Sequence, residues 1–166
     1  MILKKLDRFW SGVLKGSLVV SVICVIFMFV AVNFEIILRY AFDKPIIWIT
    51  EGGEFALIYM TFLGAAWVLK KNHHVKVDIV TNSLKPRARA ILNGITSLLG
   101  MIIVTPLIYF GITITWDHYV RGVARQSALE VPNVFVLWVI PVGAIFLFVE
   151  FIIQAYGFLK AGRLKE

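Results

Sequence analysis

The chain has little of what soluble enzymes are built from. Across 166 residues it carries one cysteine, three histidines and ten acidic residues, and charged side chains make up only 16% of the total. The lone Cys24 lies inside an apolar stretch, which excludes a disulfide framework, a dithiol and a cysteine-based metal cluster. Its default role is that of a small buried hydrophobe. His73, His74 and His118 fall at the edges of apolar stretches, so they cannot form the facing axial pair that a haem between helices requires. Adjacent histidines also point to different faces, which makes His73 and His74 a poor metal site without outside ligands. The apolar stretches offer Ser17, Ser21, Ser97 and several threonines but no histidine to act as a base, and there is no glycine-rich phosphate loop. No catalytic residue, metal ligand or cofactor site is expected, and the chain does not read as an enzyme.

What it has in place of these is apolar length. Hydrophobic residues are 60% of the chain and the mean hydropathy is +0.85, outside the soluble range. Four apolar stretches, approximately 16–37, 55–69, 91–115 and 134–158, alternate with short polar segments. A hydrocarbon core of roughly 30 Å needs about 20 helical residues. This predicts an all-α integral membrane protein, one transmembrane domain over 1–166 with spans near 16–41, 52–70, 88–119 and 133–158. The second stretch is short and has to recruit Glu51 to Glu54 at one interface and Lys70 at the other. The basic start followed by an apolar run has the look of a secretory signal, but the run is too long and Ala31-Val32-Asn33 is a poor cleavage site, so an uncleaved first span is expected.

The charges orient these spans. All but four of the 17 lysines and arginines lie before the first span, in the middle connection or after the last span; the exceptions are Arg39, Lys44, Arg121 and Arg125. By the positive-inside rule both termini and the middle loop are cytoplasmic. The same partition explains the pI of 9.7 through topology and attraction to anionic membrane lipids, which removes the motive for a nucleic-acid partner.

Bends and contact points are also marked. Between the second and third spans, Val75, Val77, Ile79, Val80 and Leu84 alternate with Lys76, Asp78, Asn82 and Lys85, a pattern compatible with a short interfacial amphipathic helix. Pro86 suits a helix first turn, while Pro106 and Pro141 predict kinks. Gly64 with Ala65 and Ala66, Thr96 with Gly100, Gly111 with Thr115, and Gly143 with Ala144 mark either helix contact faces or the mere tolerance of small residues in lipid. Trp48, Trp116, Tyr119 and Trp138 toward one boundary, and Trp10, Trp67, Tyr156 and Phe158 toward the other, form the expected aromatic belts.

Few polar groups remain. Glu35 and Arg39 are one helical turn apart in the favourable order, which fits a snorkelling pair with Asn33 nearby or a contact to another subunit. Glu150 lies inside the fourth span, one turn from Gln154 and with no cation in its own span. A carboxyl group in hydrocarbon is a hydrogen-bonded packing residue, the partner of another helix, or a proton-coupling group. No pair of short, glycine-broken helices suggests a solute site of the inverted-repeat kind.

Read as one unit, Pro45, Trp48, Glu51, Phe62-Leu63-Gly64-Ala65-Ala66 and His74-Val75-Lys76-Val77-Asp78 resemble the small, DctQ-type membrane subunit of tripartite ATP-independent periplasmic (TRAP) transporters. Arg39-Tyr40, Ser127-Ala128-Leu129, Pro132 and Pro141 match family positions as well, so the resemblance covers nearly the whole chain; Gly52-Gly53 and Glu54 depart from it. The resemblance implies a scaffold in the bacterial inner membrane, held against a large TRAP membrane subunit and served by a periplasmic substrate-binding protein. It implies sodium-driven uptake of a carboxylate-bearing solute such as a dicarboxylate, a keto acid or an acidic sugar like sialic acid. The partner-interface candidates are then Arg39, Trp48, Glu51, Phe62, Gly64, Ala65 and Glu150, and His74, Lys76 and Asp78 form a cytoplasmic loop motif. The alternative is a small homo-oligomeric transporter using Glu150 as its coupling carboxylate.

Overall fold

A computed structural model describes residues 2–42, 46–71, 86–122 and 131–163. The elements are α1 (Ile2–Phe42), α2 (Ile47–Lys70), α3 (Pro86–Arg121), a single turn α4 (Val134–Leu137) and α5 (Val139–Arg163). Four segments are helical, long and apolar enough to cross a membrane: Arg8–Phe42, Trp48–Lys70, Ile91–Arg121 and Val134–Gly157. The expected interfacial helix after Lys71, and the motif residues His74, Lys76 and Asp78 within it, lie outside the described residues.

The first helix begins well before the apolar run and continues through its basic prelude. At 41 residues α1 measures roughly 60 Å, and the 36-residue α3 measures roughly 54 Å. Both exceed the hydrocarbon thickness and must tilt or protrude. Pro86 opens α3 and Pro106 sits within it. The last span is interrupted at Trp138, between α4 and α5. Pro141 is the cause, because it has no amide proton and its ring crowds the carbonyl one turn earlier, that of Leu137. The following amide, from Val142 to the Trp138 carbonyl, is stretched to 3.4 Å.

The helices pack as a row. α1 lies on α2, α2 on α5, and α5 on α3, with no extensive contact between α1 and α3. Residue contacts fix the directions. Lys70 reaches Ser11 while Gly52 faces Phe27, so α1 and α2 are antiparallel. Tyr59 meets Trp138 and Leu69 meets Gln154, so α2 and α5 run parallel. Gly111 faces Pro141 and Gly100 faces Phe151, so α3 is antiparallel to α5. Arg8, Lys15, Lys70 and Lys71 therefore share one end, the basic end of the row. The core is a string of small contact patches, with Leu14, Ile49, Ala66, Val139 and Ala144 among the most buried residues. The outer faces of α1 and α3 stay uncovered, including Phe29 at 71% and Ile103 at 68% exposure.

Candidate functional site

The seams of the row are built around small residues, because close approach is what holds apolar helices together when the solvent is equally apolar. At the α1/α2 seam Gly64 faces Ser21, and a Cβ at Gly64 would stand 3.3 Å from the Ser21 hydroxyl oxygen. At the α2/α5 seam the approach is closer: a Cβ at Gly143 would lie 2.5 Å from the carbonyl oxygen of Phe62. At the α3/α5 seam Gly100 accepts the ring of Phe151 and Gly111 accepts the ring of Pro141. The glycine of each small-residue group named from the sequence thus touches a neighbouring helix, while Thr96 is exposed and bonds within its own helix. Within the Gly-Ala-Ala run it is Ala66 that is fully buried, while Ala65 is half-buried.

Hydroxyl groups in the spans are used locally. Ser17, Ser21, Thr61, Thr96, Ser97, Thr105, Thr113 and Thr115 each donate to a backbone carbonyl three or four residues earlier. Such back-bonding satisfies the hydroxyl inside hydrocarbon. Among the described residues, no group of three or more His, Cys, Asp and Glu side chains gathers into a metal-holding cluster.

Two polar clusters join helices. At the basic end Glu150 is 2% exposed, and its Oε2 accepts the indole N–H of Trp10 at 3.0 Å. The Trp10 ring stands edge-on to Phe146, one turn from Glu150, with centroids 5.7 Å apart. Beside Trp10, the Ser11 hydroxyl accepts from the Lys70 ammonium at 2.7 Å, and Gln154 donates its amide to the Leu69 carbonyl at 2.7 Å. At the opposite end Trp138 donates its indole N–H to the Tyr59 hydroxyl at 2.8 Å, and that hydroxyl donates to the carbonyl of Phe135. This ties α2 to the α4 turn beside the break before Pro141. The Asn133 amide nitrogen and His118 Nδ1 approach to 3.3 Å and connect the start of α4 to α3.

The interface candidates separate into two groups. Phe62, Gly64 and Glu150 lie at helix seams and Ala65 is half-buried next to Gly64, whereas Arg39 and Trp48 are exposed and Glu51 is half-buried near the opposite end. The Glu35–Arg39 pair expected from spacing does not form: among the described residues no ion pair joins them, and Asn33 donates instead to the Phe29 carbonyl at 2.6 Å. A pair of this kind is worth only about 0.2–0.5 kcal/mol, too little to hold two long side chains in one geometry. Cys24 is half-buried and not a core residue. Trp10 and Trp138 are more than belt residues, since each supplies a hydrogen bond across a helix seam. Sequence reasoning missed Trp10 and Lys70 as partners in the Glu150 cluster. The available signal was their common depth, near the basic boundary of their own spans.

Residues 28–161 match the family described as "Tripartite ATP-independent periplasmic transporters, DctQ component". Among curated proteins the chain is similar to a "Putative TRAP transporter small permease protein" of Haemophilus influenzae, 33% identical over 102 residues, covering 61% of this chain and 63% of that one. It is 31% identical over 78 residues to the "Sialic acid TRAP transporter permease protein SiaT" of Haemophilus influenzae, a match covering 47% of this chain and 13% of that one. A "C4-dicarboxylate TRAP transporter small permease protein DctQ" of Vibrio cholerae is 24% identical over 103 residues, 60% of this chain and 41% of that one. The matched region spans less than two thirds of the length of each of these relatives.

Proposed function

Because the chain belongs to the DctQ component family of tripartite ATP-independent periplasmic transporters, we propose that it is the small permease subunit that scaffolds a large membrane subunit during binding-protein-dependent uptake. The observation that carries this reading is the row of helices. A compact bundle would cover its helices on several sides, but here α1 and α3 each pack along one side and leave long apolar faces open. Such faces suit a partner of matching thickness within the bilayer. The SiaT match adds support, since the similar segment is only 13% of a permease chain and so occurs there joined to much more protein.

The transported solute bears a carboxylate, and the class runs from dicarboxylates and keto acids to acidic sugars; sialic acid and a C4-dicarboxylate stand in the names of two relatives. Uptake draws on a sodium gradient, the solute arrives on a periplasmic binding protein, and the subunit lies in the bacterial inner membrane with both termini and the basic end cytoplasmic. The homo-oligomeric alternative draws no support from Glu150, which is bonded to Trp10 inside the subunit.

The test is co-expression with the large subunit followed by purification and reconstitution. The chain should copurify with the large subunit, and sodium-driven uptake should require both of them and the binding protein. Glu150→Gln should retain most of the uptake per assembled complex. Uptake by this chain alone would overturn the scaffold reading, and loss of transport by a fully assembled Glu150→Gln complex would place the carboxylate in the coupling step.

A further inference from the structure

Toward the basic end of the row, two stripes of residues meet at the α1/α2 seam. On α1, Arg8, Ser11 and Lys15 follow one another at intervals of three and four residues and so share a face. The middle member, Ser11, accepts the Lys70 ammonium at 2.7 Å, which turns that face toward α2, whereas the Trp10 indole reaches α5. On α2, Gly64, Trp67 and Lys71 share a face in the same way, and Gly64 stands against Ser21 of α1. With Lys70 at Ser11 and Gly64 at Ser21, Trp67 comes level with Lys15. The Lys71 ammonium is drawn back over the Trp67 ring, 5.3 Å from its centroid, and so lies at that level too. We propose that this end of the α1/α2 seam binds one anionic phospholipid, with Lys15 and Lys71 as partners of its phosphate, Arg8 as a third cation on the aqueous side, and Trp67 as the residue that positions Lys71.

Depth, charge and the adjoining surface agree on that ligand. Lys15 directly precedes the apolar stretch of α1 and Lys71 directly follows the span Trp48–Lys70, which puts both at the boundary between hydrocarbon and headgroups. Arg8, Lys15 and Lys71 are all exposed. Before the first apolar stretch the chain holds Lys4, Lys5, Arg8 and Lys15 against Asp7 alone, so the field there attracts an anionic headgroup. The α1 stripe continues into the membrane as Val19, Val22 and Ile26, and the α2 stripe runs through Val68 to Leu57, all of them exposed. An acyl chain along this strip would meet apolar side chains of both helices directly beyond the cations. The positive-inside rule accounts for the sign of this end, but it does not require cations to gather at one seam. An acidic protein segment would match the charges but has no use for the apolar strip that continues from them. The site follows from the membrane-spanning fold and does not rest on the scaffold reading.

The full chain is reconstituted in nanodiscs of equal parts phosphatidylcholine and phosphatidylglycerol, released, and weighed by native mass spectrometry. The wild-type protein should retain one phosphatidylglycerol in preference to phosphatidylcholine. Lys15→Gln combined with Lys71→Gln should lower that retention about tenfold, and glutamine at these exposed positions leaves the helix packing intact. Arg87→Gln combined with Arg89→Gln removes the same charge from α3 at the same end and should leave retention unchanged. Trp67→Leu should lower it severalfold, and Trp67→Phe, which keeps an aromatic face under Lys71, should restore it. Equal losses from the α1/α2 pair and the α3 pair would reduce the effect to net charge and overturn the site, as would retention without headgroup preference. Cross-links from Lys15 and Lys71 to carboxylates of a co-expressed large subunit, with no lipid retained, would give the seam to a protein partner and overturn the inference as well.

Discussion

Replacing Gly143 with alanine adds one methyl group at the position where, among the described glycines, another helix's backbone stands closest. The new Cβ would lie 2.5 Å from the Phe62 carbonyl oxygen and 2.7 Å from its carbonyl carbon, both backbone atoms that no rotamer change can move. Relief requires α2 and α5 to part locally by roughly 1 Å, a gap that forfeits a quarter to a half of each flanking dispersion contact. Overpacking of this kind costs about 1–3 kcal/mol. Alanine's better helix propensity returns about 0.5–1 kcal/mol. The sum is a net loss of about 1 kcal/mol. Gly157 lies in the same helix, and a methyl group there would meet nothing within 4 Å, so Gly157→Ala should show only the propensity gain. Gly100→Ala should fall between them, because its obstacle is the far edge of the Phe151 ring, which can swing away. The assay is reversible unfolding in mixed micelles followed by circular dichroism. Equal stability of Gly143→Ala and Gly157→Ala would refute the claim that the α2/α5 seam is set by backbone contact at Phe62.

Gly64→Leu forces a large side chain against Ser21 and should reduce folded protein or its recovery with the large subunit, whereas Leu at Ile26, which is 57% exposed, should do little; comparable recovery of both variants by size-exclusion chromatography would remove Gly64 from the α1/α2 seam. Tyr59→Phe deletes the hydroxyl between Trp138 and the Phe135 carbonyl and should cost about 1 kcal/mol in the same unfolding assay, with a change in Trp138 fluorescence; an unchanged midpoint and spectrum would show that water replaces the link. Cysteines introduced at Lys44 and Ser127 should react with an impermeant thiol reagent from the periplasmic side while one at Asn82 should not, and the reverse pattern would invert the proposed orientation.

The number of spans was legible in the sequence because hydrophobic length is a local property and the bilayer sets its threshold. The break near Pro141 was legible for a similar reason: a missing amide proton acts on its own helix wherever that helix packs. Small residues announced contact points at Gly64, Gly100, Gly111 and Gly143, but not which helix would fill them. That choice belonged to the tertiary structure. In water an apolar stripe tells a helix which face to bury, but in lipid both the solvent and the neighbours are apolar, so a helix like α2, hydrophobic on all sides, carries no such stripe. The order α1, α2, α5, α3 follows instead from where glycine lets one backbone approach another, as Gly143 does at Phe62. The surroundings of Glu150 were hidden for the same reason. Its own span supplies no cation, and the indole that bonds it comes from Trp10, at the far end of the sequence, brought beside it only by the packing of α1 across the basic ends of α2 and α5.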